Sequence, residues 1–493
     1  MKSVLLRVSS FLRVVLRNGM PPSGFTKLFL CLCVFVLLGA AAPVVNWSTL
    51  EKDKKAPSDY GYGPGKSIGT PRPNIVLGQV PPSPKTAAPI GAAAPAAAPI
   101  SPSVGGFFTS AFPWPIIPLH VALLPDGRVL SYGTDRMGDQ GAQMIYDVWN
   151  PAVGIGSNAH TVLPNNTTTD LFCSAVSLLA SGNALVVGGD LTVGGVRNFS
   201  NNKVEIFNPK QNTLTASGQM TYARWYPSMT TLPNGDKLVL GGVVNFNATP
   251  QVGVRTPEVF SATNGWRTLP GISINPAEWY YPRGFVGFDG AVYVLQQNGI
   301  IFRLTTDAAG TMTDTGSRLA ADDNTLPSVM ALDAKGNPFS VLMARYSGEA
   351  QVVDISKNPP VVTRVGNLNY TRSTGQLTLL PDGEVFANGG SANFNDLTTA
   401  VYQSELYNRL TGTWTLGATA AIPRLYHNSS LLLTDGSVLT AGGGAPGPVN
   451  ELNAEIYYPP YLYLKDGSGN PAPRPTVISA PSSITVDRVS CSR

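Results

Sequence analysis

Charge is scarce in this chain. Only 13% of its 493 residues are Asp, Glu, Lys or Arg, and the formal net charge of +4 is already exceeded by Lys2, Arg7, Arg13, Arg17 and Lys27 near the start. The remainder is close to neutral, which excludes the basic footprint that nucleic-acid binding requires. Cysteine is equally sparse. Of the four, Cys31 and Cys33 lie in an apolar stretch near the N-terminus, leaving Cys173 and Cys491, too few and too far apart for a disulfide framework. Histidine occurs three times, as His120, His160 and His427. The longest apolar run, Leu28 to Ala42, falls short of the ~20 residues that span a bilayer comfortably. No long stretch carries a helical period. What abounds is turn-forming residues, with 51 Gly and 42 Pro alongside 43% hydrophobic residues, the balance of one large β-domain with flanking segments.

The flanks declare themselves by composition. Basic residues, the run Leu28 to Ala42, then small residues and Pro43 read as a signal peptide or signal anchor over 1–45. Residues 46–105, including APIGAAAPAAAPISP, are too rich in Pro and Ala to bury a core and read as an extended linker. The expected location is therefore secreted or extracytoplasmic, with membrane contact only through 28–42 if that segment is retained. Asn46, Asn165, Asn166, Asn198, Asn247, Asn369 and Asn428 begin N-x-S/T triplets, which matter only where exported proteins are glycosylated.

Between 106 and 467 one unit recurs seven times. Examples are PLHVALLPDGRVLSYG, RWYPSMTTLPNGDKLVLGG and LYHNSSLLLTDGSVLTAGGG: an apolar β-branched run, a tight Asp-Gly or Asn-Gly turn, and a second apolar run that often closes on Gly-Gly. The turn glycines Gly127, Gly182, Gly235, Gly290, Gly336, Gly383 and Gly436 recur every 46 to 55 residues, close to the ~50-residue kelch period. Intervening pieces such as VEIFNPKQNTLT, PEVFSATNGW and SELYNRLTGTW supply outer strands. The predicted fold is all-β, a seven-bladed kelch-type β-propeller whose closure leaves few free strand edges. Residues 468–493 read as the beginning of a C-terminal Ig-like β-sandwich.

Register within the repeats singles out chemistry. Cys173, Tyr226 and His427 each stand nine positions before their turn glycine, and equal offsets in repeated units mean equivalent places in space. A thiol, a phenol and an imidazole are thereby expected to converge as a metal or redox site at one end of the channel. Taken singly, each has a plain reading: Cys173 a small buried hydrophobe, Tyr226 a rim aromatic, His427 a core histidine. Tyr426 is oddly placed, because strict strand alternation sends it to the face opposite His427. Tyr281 shares the nine-residue offset before Gly290, and Arg283 follows it; both are candidates to line the site mouth, against a plain reading as rim decoration. His120 has the parity to face the channel two positions further in, and His160 falls in a loop and reads as a surface residue.

The segments FCSAV, RWYPS and LYHNSSLLLTDGSVLTAGGG, in that order on kelch-type blades, resemble the copper radical oxidases, galactose oxidase and especially glyoxal oxidase. That resemblance spans roughly His120 to Tyr463. It implies copper as cofactor, a thioether joining Cys173 to Tyr226, and Tyr226 as an equatorial ligand carrying a tyrosyl radical. It further implies Tyr426 as axial ligand and catalytic base, and His427 as an equatorial ligand. Small aldehydes or primary alcohols would be oxidised by O2, giving the acid or aldehyde and hydrogen peroxide.

Two departures bear on this. Where galactose oxidase supplies an indole just after the Gly-Gly of the Tyr226 blade, this chain has Val243, Val244 and Asn245, whereas Trp225 directly precedes Tyr226 as in glyoxal oxidase. Small aldehydes are thus expected over galactose, with Trp225, Tyr281 and Arg283 near the substrate. The family's second histidine ligand comes from the C-terminal β-sandwich, and the sequence ends at Arg493 just as that domain begins, so an impaired site is expected. A monomer is expected, and the competing class is a secreted or surface-anchored propeller that binds glycan or protein without catalysis.

Overall fold

The computed structural model describes residues 100–474, apart from 249–250, 276–277, 279, 321–326 and 346. The expected signal segment, nearly all of the expected linker, Cys491 and most of the expected sandwich lie outside the described residues. Among the described residues, no helix is long and apolar enough to cross a membrane.

Seven antiparallel sheets appear where the repeats place them. The first six, over 120–164, 175–219, 225–268, 283–318, 328–364 and 376–419, each have four strands. In every case the run before the turn glycine forms the innermost strand and the run after it the second. The hairpin over 203–219 takes the outer position in blade 2, as do those over 258–268 in blade 3 and 403–419 in blade 6, as their aromatic spacing predicts.

Blade 7 is closed by residues from far away in sequence. Its inner three strands are Asn428–Leu432, Val438–Gly442 and Asn453–Tyr458, and its outer edge comes from Phe107–Phe108 and Phe112–Pro113. This join stitches the first described strands onto the last blade and removes an open edge. Phe108 packs against Tyr457 and Phe386, and the Tyr457 hydroxyl donates to the Gly105 carbonyl at 2.8 Å. The core sits between blades rather than at one centre, for instance Leu238, Val259 and Leu304, all fully buried between blades 3 and 4.

One polar device repeats where blades turn toward the channel. Arg224, Arg372 and Arg424 are buried, and each pairs with a buried glutamate, Glu258, Glu405 and Glu455, at 3.0, 3.0 and 3.3 Å. Each also donates through Nη1 to the carbonyl of a glycine near the end of its second strand: Gly241 at 2.6 Å, Gly389 at 2.9 Å and Gly442 at 3.2 Å. Buried charges of this kind persist when paired and hydrogen-bonded, so each arginine fixes the path of the chain entering its inner strand.

Candidate metal centre

The nine-residue register is a conformational one. Cys173, Tyr226, Tyr281, Thr374 and His427, all at that offset, have φ of 60°, 65°, 38°, 60° and 66°. Non-glycine residues enter this left-handed region rarely and at a cost of about 1–3 kcal/mol, and they cluster at functional sites. Blades 1 and 5 carry Pro118 and Pro327 there, and proline's fixed negative φ excludes the conformation. The left-handed residue breaks strand alternation just where the chain enters the channel.

That break resolves the difficulty over Tyr426. Arg424 lies twelve residues before its turn glycine, whereas Arg224 and Arg372 lie eleven before theirs, so blade 7 holds one extra residue between its arginine anchor and its inner strand. With His427 left-handed, successive residues reach the same place, and the Tyr426 and His427 rings stack at 3.7 Å.

Three donor atoms converge. The Tyr226 hydroxyl lies 3.0 Å from His427 Nε2 and is hydrogen-bonded to the Tyr426 hydroxyl. His427 Nδ1 is 2.7 Å from the Gly444 carbonyl, which only accepts, so Nδ1 carries the hydrogen and Nε2 presents its lone pair to the phenols. The Cys173 thiol hydrogen-bonds Tyr226. Cys173, Tyr226 and Tyr426 are all buried, in one cluster with Leu119, Phe172, Trp225 and Val243.

Burial governs the electrostatics. It pushes the Cys173 thiol well up in pKa, an effect the Tyr226 bond opposes, and pushes the Tyr226 phenol well up, reinforced by Cys173 and Tyr426 beside it. It pushes His427 down to about 3, with the Gly444 bond opposing and nearby His120 adding to the fall. Adjacent buried phenols and a neutral imidazole cannot become a pair of phenolates without a compensating cation, and a divalent metal is the charge that inverts this logic. Among the described residues no three His, Cys, Asp or Glu side chains cluster as a metal site, so the donor set depends on its tyrosines.

The sequence-predicted residues are thus largely brought together. Trp225 packs against Tyr226 with ring centroids 4.0 Å apart. Tyr281 lies 4.6 Å from Tyr226, and with Arg283 it lines a cavity of about 410 Å³ that His120, Tyr426 and His427 also border. Arg283 donates to the Tyr281 carbonyl. His160 is a correction: its side chain is buried rather than at the surface, at the start of the strand His160–Pro164, with Nδ1 2.8 Å from Asp147 Oδ2 and Trp114 edge-on at 4.7 Å. The N-terminal segment carrying Phe112 and Trp114 covers this edge, which local sequence around His160 does not reveal. Tyr280, 5.0 Å from Tyr226, was not predicted; its neighbour Tyr281 holds the repeat register, and nothing marked Tyr280 itself. Asn428 donates to the Thr374 and Leu425 carbonyls and is buried, which closes that triplet to glycosylation.

No family model matches the chain. It is 27% identical over 401 residues to "Galactose oxidase" of Gibberella zeae, an alignment covering 74% of this chain and 56% of that relative, so the chain spans little more than half of that protein's length. It is 23% identical over 384 residues to "Aldehyde oxidase GLOX" of Vitis pseudoreticulata, covering 70% of this chain and 71% of that one. Among solved structures, a fungal alcohol oxidase described in complex with copper superposes with a TM-score of 0.64 at 23% identity, over 76% of this chain and 80% of the other, which shows the shared propeller. Across its repeats, the chain is a relative of the copper radical oxidases.

Proposed function

We propose that this protein is a copper radical oxidase that oxidises small aldehydes, or primary alcohols, with O2 to yield acid or aldehyde and hydrogen peroxide. The observation that carries the reading is the convergence of two buried phenol oxygens and one imidazole nitrogen, with the Cys173 thiol against one of the phenols. Nitrogen and oxygen donors suit Cu(II). Tyr226, Tyr426 and His427 would hold the metal, which, when bound, supplies a one-electron couple and Lewis acidity.

The remaining chemistry falls to the chain. A two-electron oxidation at a one-electron metal needs a second one-electron store, and Tyr226 is placed for it. Joining the Cys173 sulfur to the Tyr226 ring removes the thiol hydrogen and one ring hydrogen, with O2 as the oxidant. The resulting thioether donates electron density and makes the ring easier to oxidise. Trp225 and Tyr281 cover the ring and keep water from it. Tyr426, as phenolate, accepts the substrate's hydroxyl proton. Trp225 against Tyr226, with Val243 packed where galactose oxidase has its indole, favours small aldehydes.

The deciding experiment supplies copper-loaded protein with methylglyoxal, glyoxal and galactose in turn while recording O2 uptake and peroxide release. Aldehyde-dependent uptake matched by peroxide, larger for the two small aldehydes than for galactose, is the expected result. Copper-loaded, folded protein that consumes no O2 with any of them overturns the proposal in favour of a non-catalytic propeller.

A further inference from the structure

In blades 3, 6 and 7 a buried arginine holds the chain entering the inner strand, and blade 2, which carries Cys173, is built differently. Eleven residues before its turn glycine stands Leu171, although the acidic half of the device is kept: Glu205 lies 23 residues after Gly182, as Glu258 does after Gly235. Glu205 accepts instead from Thr169 Oγ1 at 2.5 Å. The anchoring passes to an acid. Asp170, buried, accepts at Oδ1 from the backbone N–H of Ala142 at 2.7 Å and that of Phe172 at 3.0 Å, and at Oδ2 from Arg197 Nη1 at 3.0 Å.

Arg197 reaches Asp170 from the hairpin that follows the second strand of the same blade, Asp190–Val193 paired with Val196–Ser200. The base of this hairpin is tied down. Asp190 Oδ1 accepts from the N–H of Leu191 at 2.8 Å and of Asn198 at 2.7 Å, and Asp190 Oδ2 accepts from Gln140 Nε2 at 3.0 Å, with Arg197 Nη1 3.6 Å away. One guanidinium thus serves two buried carboxylates, and burial raises the pKa of both. Removing Arg197 leaves Asp170 beside a second carboxylate without its cation, and a buried charge in that state protonates or admits water.

What Asp170 holds is the run that presents the thiol. The Phe172 N–H is fixed by Asp170, the Ser174 N–H by the Leu171 carbonyl at 3.1 Å, and the Cys173 carbonyl by the Tyr226 N–H at 3.0 Å, with Cys173 between them at a φ of 60°. A non-glycine residue stays in that conformation when its surroundings over-determine it. From there the thiol hydrogen-bonds Tyr226.

Building on the thioether reading above, we propose that the Asp170–Arg197 pair positions the Cys173 sulfur against the Tyr226 ring, so that the hairpin over 190–200 sets the rate of cross-linking. Neither residue takes part in the bond change. The sulfur–carbon bond forms as one S–H and one ring C–H bond break, and O2 takes up the two electrons and two protons as hydrogen peroxide.

The test follows thioether formation in the copper-loaded full chain after O2 is admitted, by intact mass and by loss of alkylatable Cys173. It compares the wild type, Arg197→Met, Arg197→Lys, Asp170→Asn and a control, Arg303→Met, with thermal melts and copper content confirming fold and loading. Arg303 suits the control because its side chain is 26% exposed against 25% for Arg197, and it too is paired with an aspartate, Asp289 at 2.7 Å, on the third strand of blade 4. Cross-linking slowed on the order of tenfold or more is expected in Arg197→Met, with a smaller slowing in Arg197→Lys, which keeps a charge for Asp170, and the wild-type rate in Arg303→Met. Asp170→Asn keeps an acceptor for the two amides but loses the ion pair; it should be slowed as well, and it carries the test if the Arg197 variants do not fold. A folded, copper-loaded Arg197→Met or Asp170→Asn that cross-links at the wild-type rate overturns the proposal, as does equal slowing in Arg303→Met. A wild type that binds copper yet never loses the two hydrogens overturns the thioether reading, and this proposal with it.

Discussion

The backbone N–H of Tyr226 donates to the carbonyl of Cys173 at 3.0 Å, and the N–H of Tyr281 donates in turn to the carbonyl of Tyr226 at 3.1 Å. Residues at the same register in blades 2, 3 and 4 are therefore hydrogen-bonded one to the next. For Tyr226 and Tyr281, both left-handed, the amide is thereby satisfied by the equivalent residue one blade earlier. The neighbour relation between thiol and phenol is thus built into the main chain, before any side-chain rotamer is chosen.

From that relation follows a covalent expectation. After exposure to copper and O2, the intact mass should fall by two hydrogens, about 2 Da, and Cys173 should resist alkylation in denatured protein. In Cys173→Ser the mass change should vanish while the melting profile remains that of a folded propeller. Full alkylation of Cys173 after copper and oxygen treatment would falsify the cross-link.

The two tyrosines should fail differently. Tyr226→Phe should abolish both thioether and turnover, because ligand and electron store are lost together. Tyr426→Phe should keep the thioether, as judged by mass, yet lower kcat by about 10²–10⁴ through loss of the proton acceptor. Steady-state kinetics alongside mass spectrometry check this, and equal loss of cross-link in both variants would contradict the assigned roles.

Arg424 should prove structural and costly. Its replacement by Ala leaves Glu455 buried without its partner, which costs about 3–5 kcal/mol. The double variant Arg424→Met with Glu455→Leu should recover most of that loss, since the pair itself is close to neutral against an apolar replacement. Denaturant unfolding of the single and double variants measures both quantities; a double variant no more stable than the single one counts against the argument.

Asp190 should give the propeller a pH-dependent weakness. Burial, then the neighbouring charge of Asp170, raise its pKa from 3.8, while the Asn198 amide and Arg197 oppose the rise. A carboxyl whose folded pKa is raised binds its proton more tightly in the folded state. Its contribution is present at low pH and is lost as pH climbs from 3.8 through the raised value near 7. Thermal midpoints of the wild type should therefore fall relative to Asp190→Asn between about pH 4 and 7. Parallel pH profiles for the two proteins would dismiss Asp190 as the source.

The seven blades were legible because each repeat is a local hairpin: its Asp-Gly or Asn-Gly turn, its β-branched runs and its Gly-Gly stop are written within about 20 residues. Register carried the site just as directly, since Cys173, Tyr226 and His427 stand at one offset and the fold places equal offsets side by side. Both of these belong to the sequence, because short-range turn chemistry and a fixed period are enough to specify them. Other features arise only when distant segments meet. The join of Phe107–Phe108 to Asn453–Tyr458, and the covering of His160 by Trp114, depend on contacts across the whole ring. So does the convergence of Tyr426 with His427, which needs a left-handed backbone at His427 and an arginine anchor held by Glu455. Main-chain conformation at a single residue, and which surface finally covers which, are decided by packing that no local stretch of sequence contains.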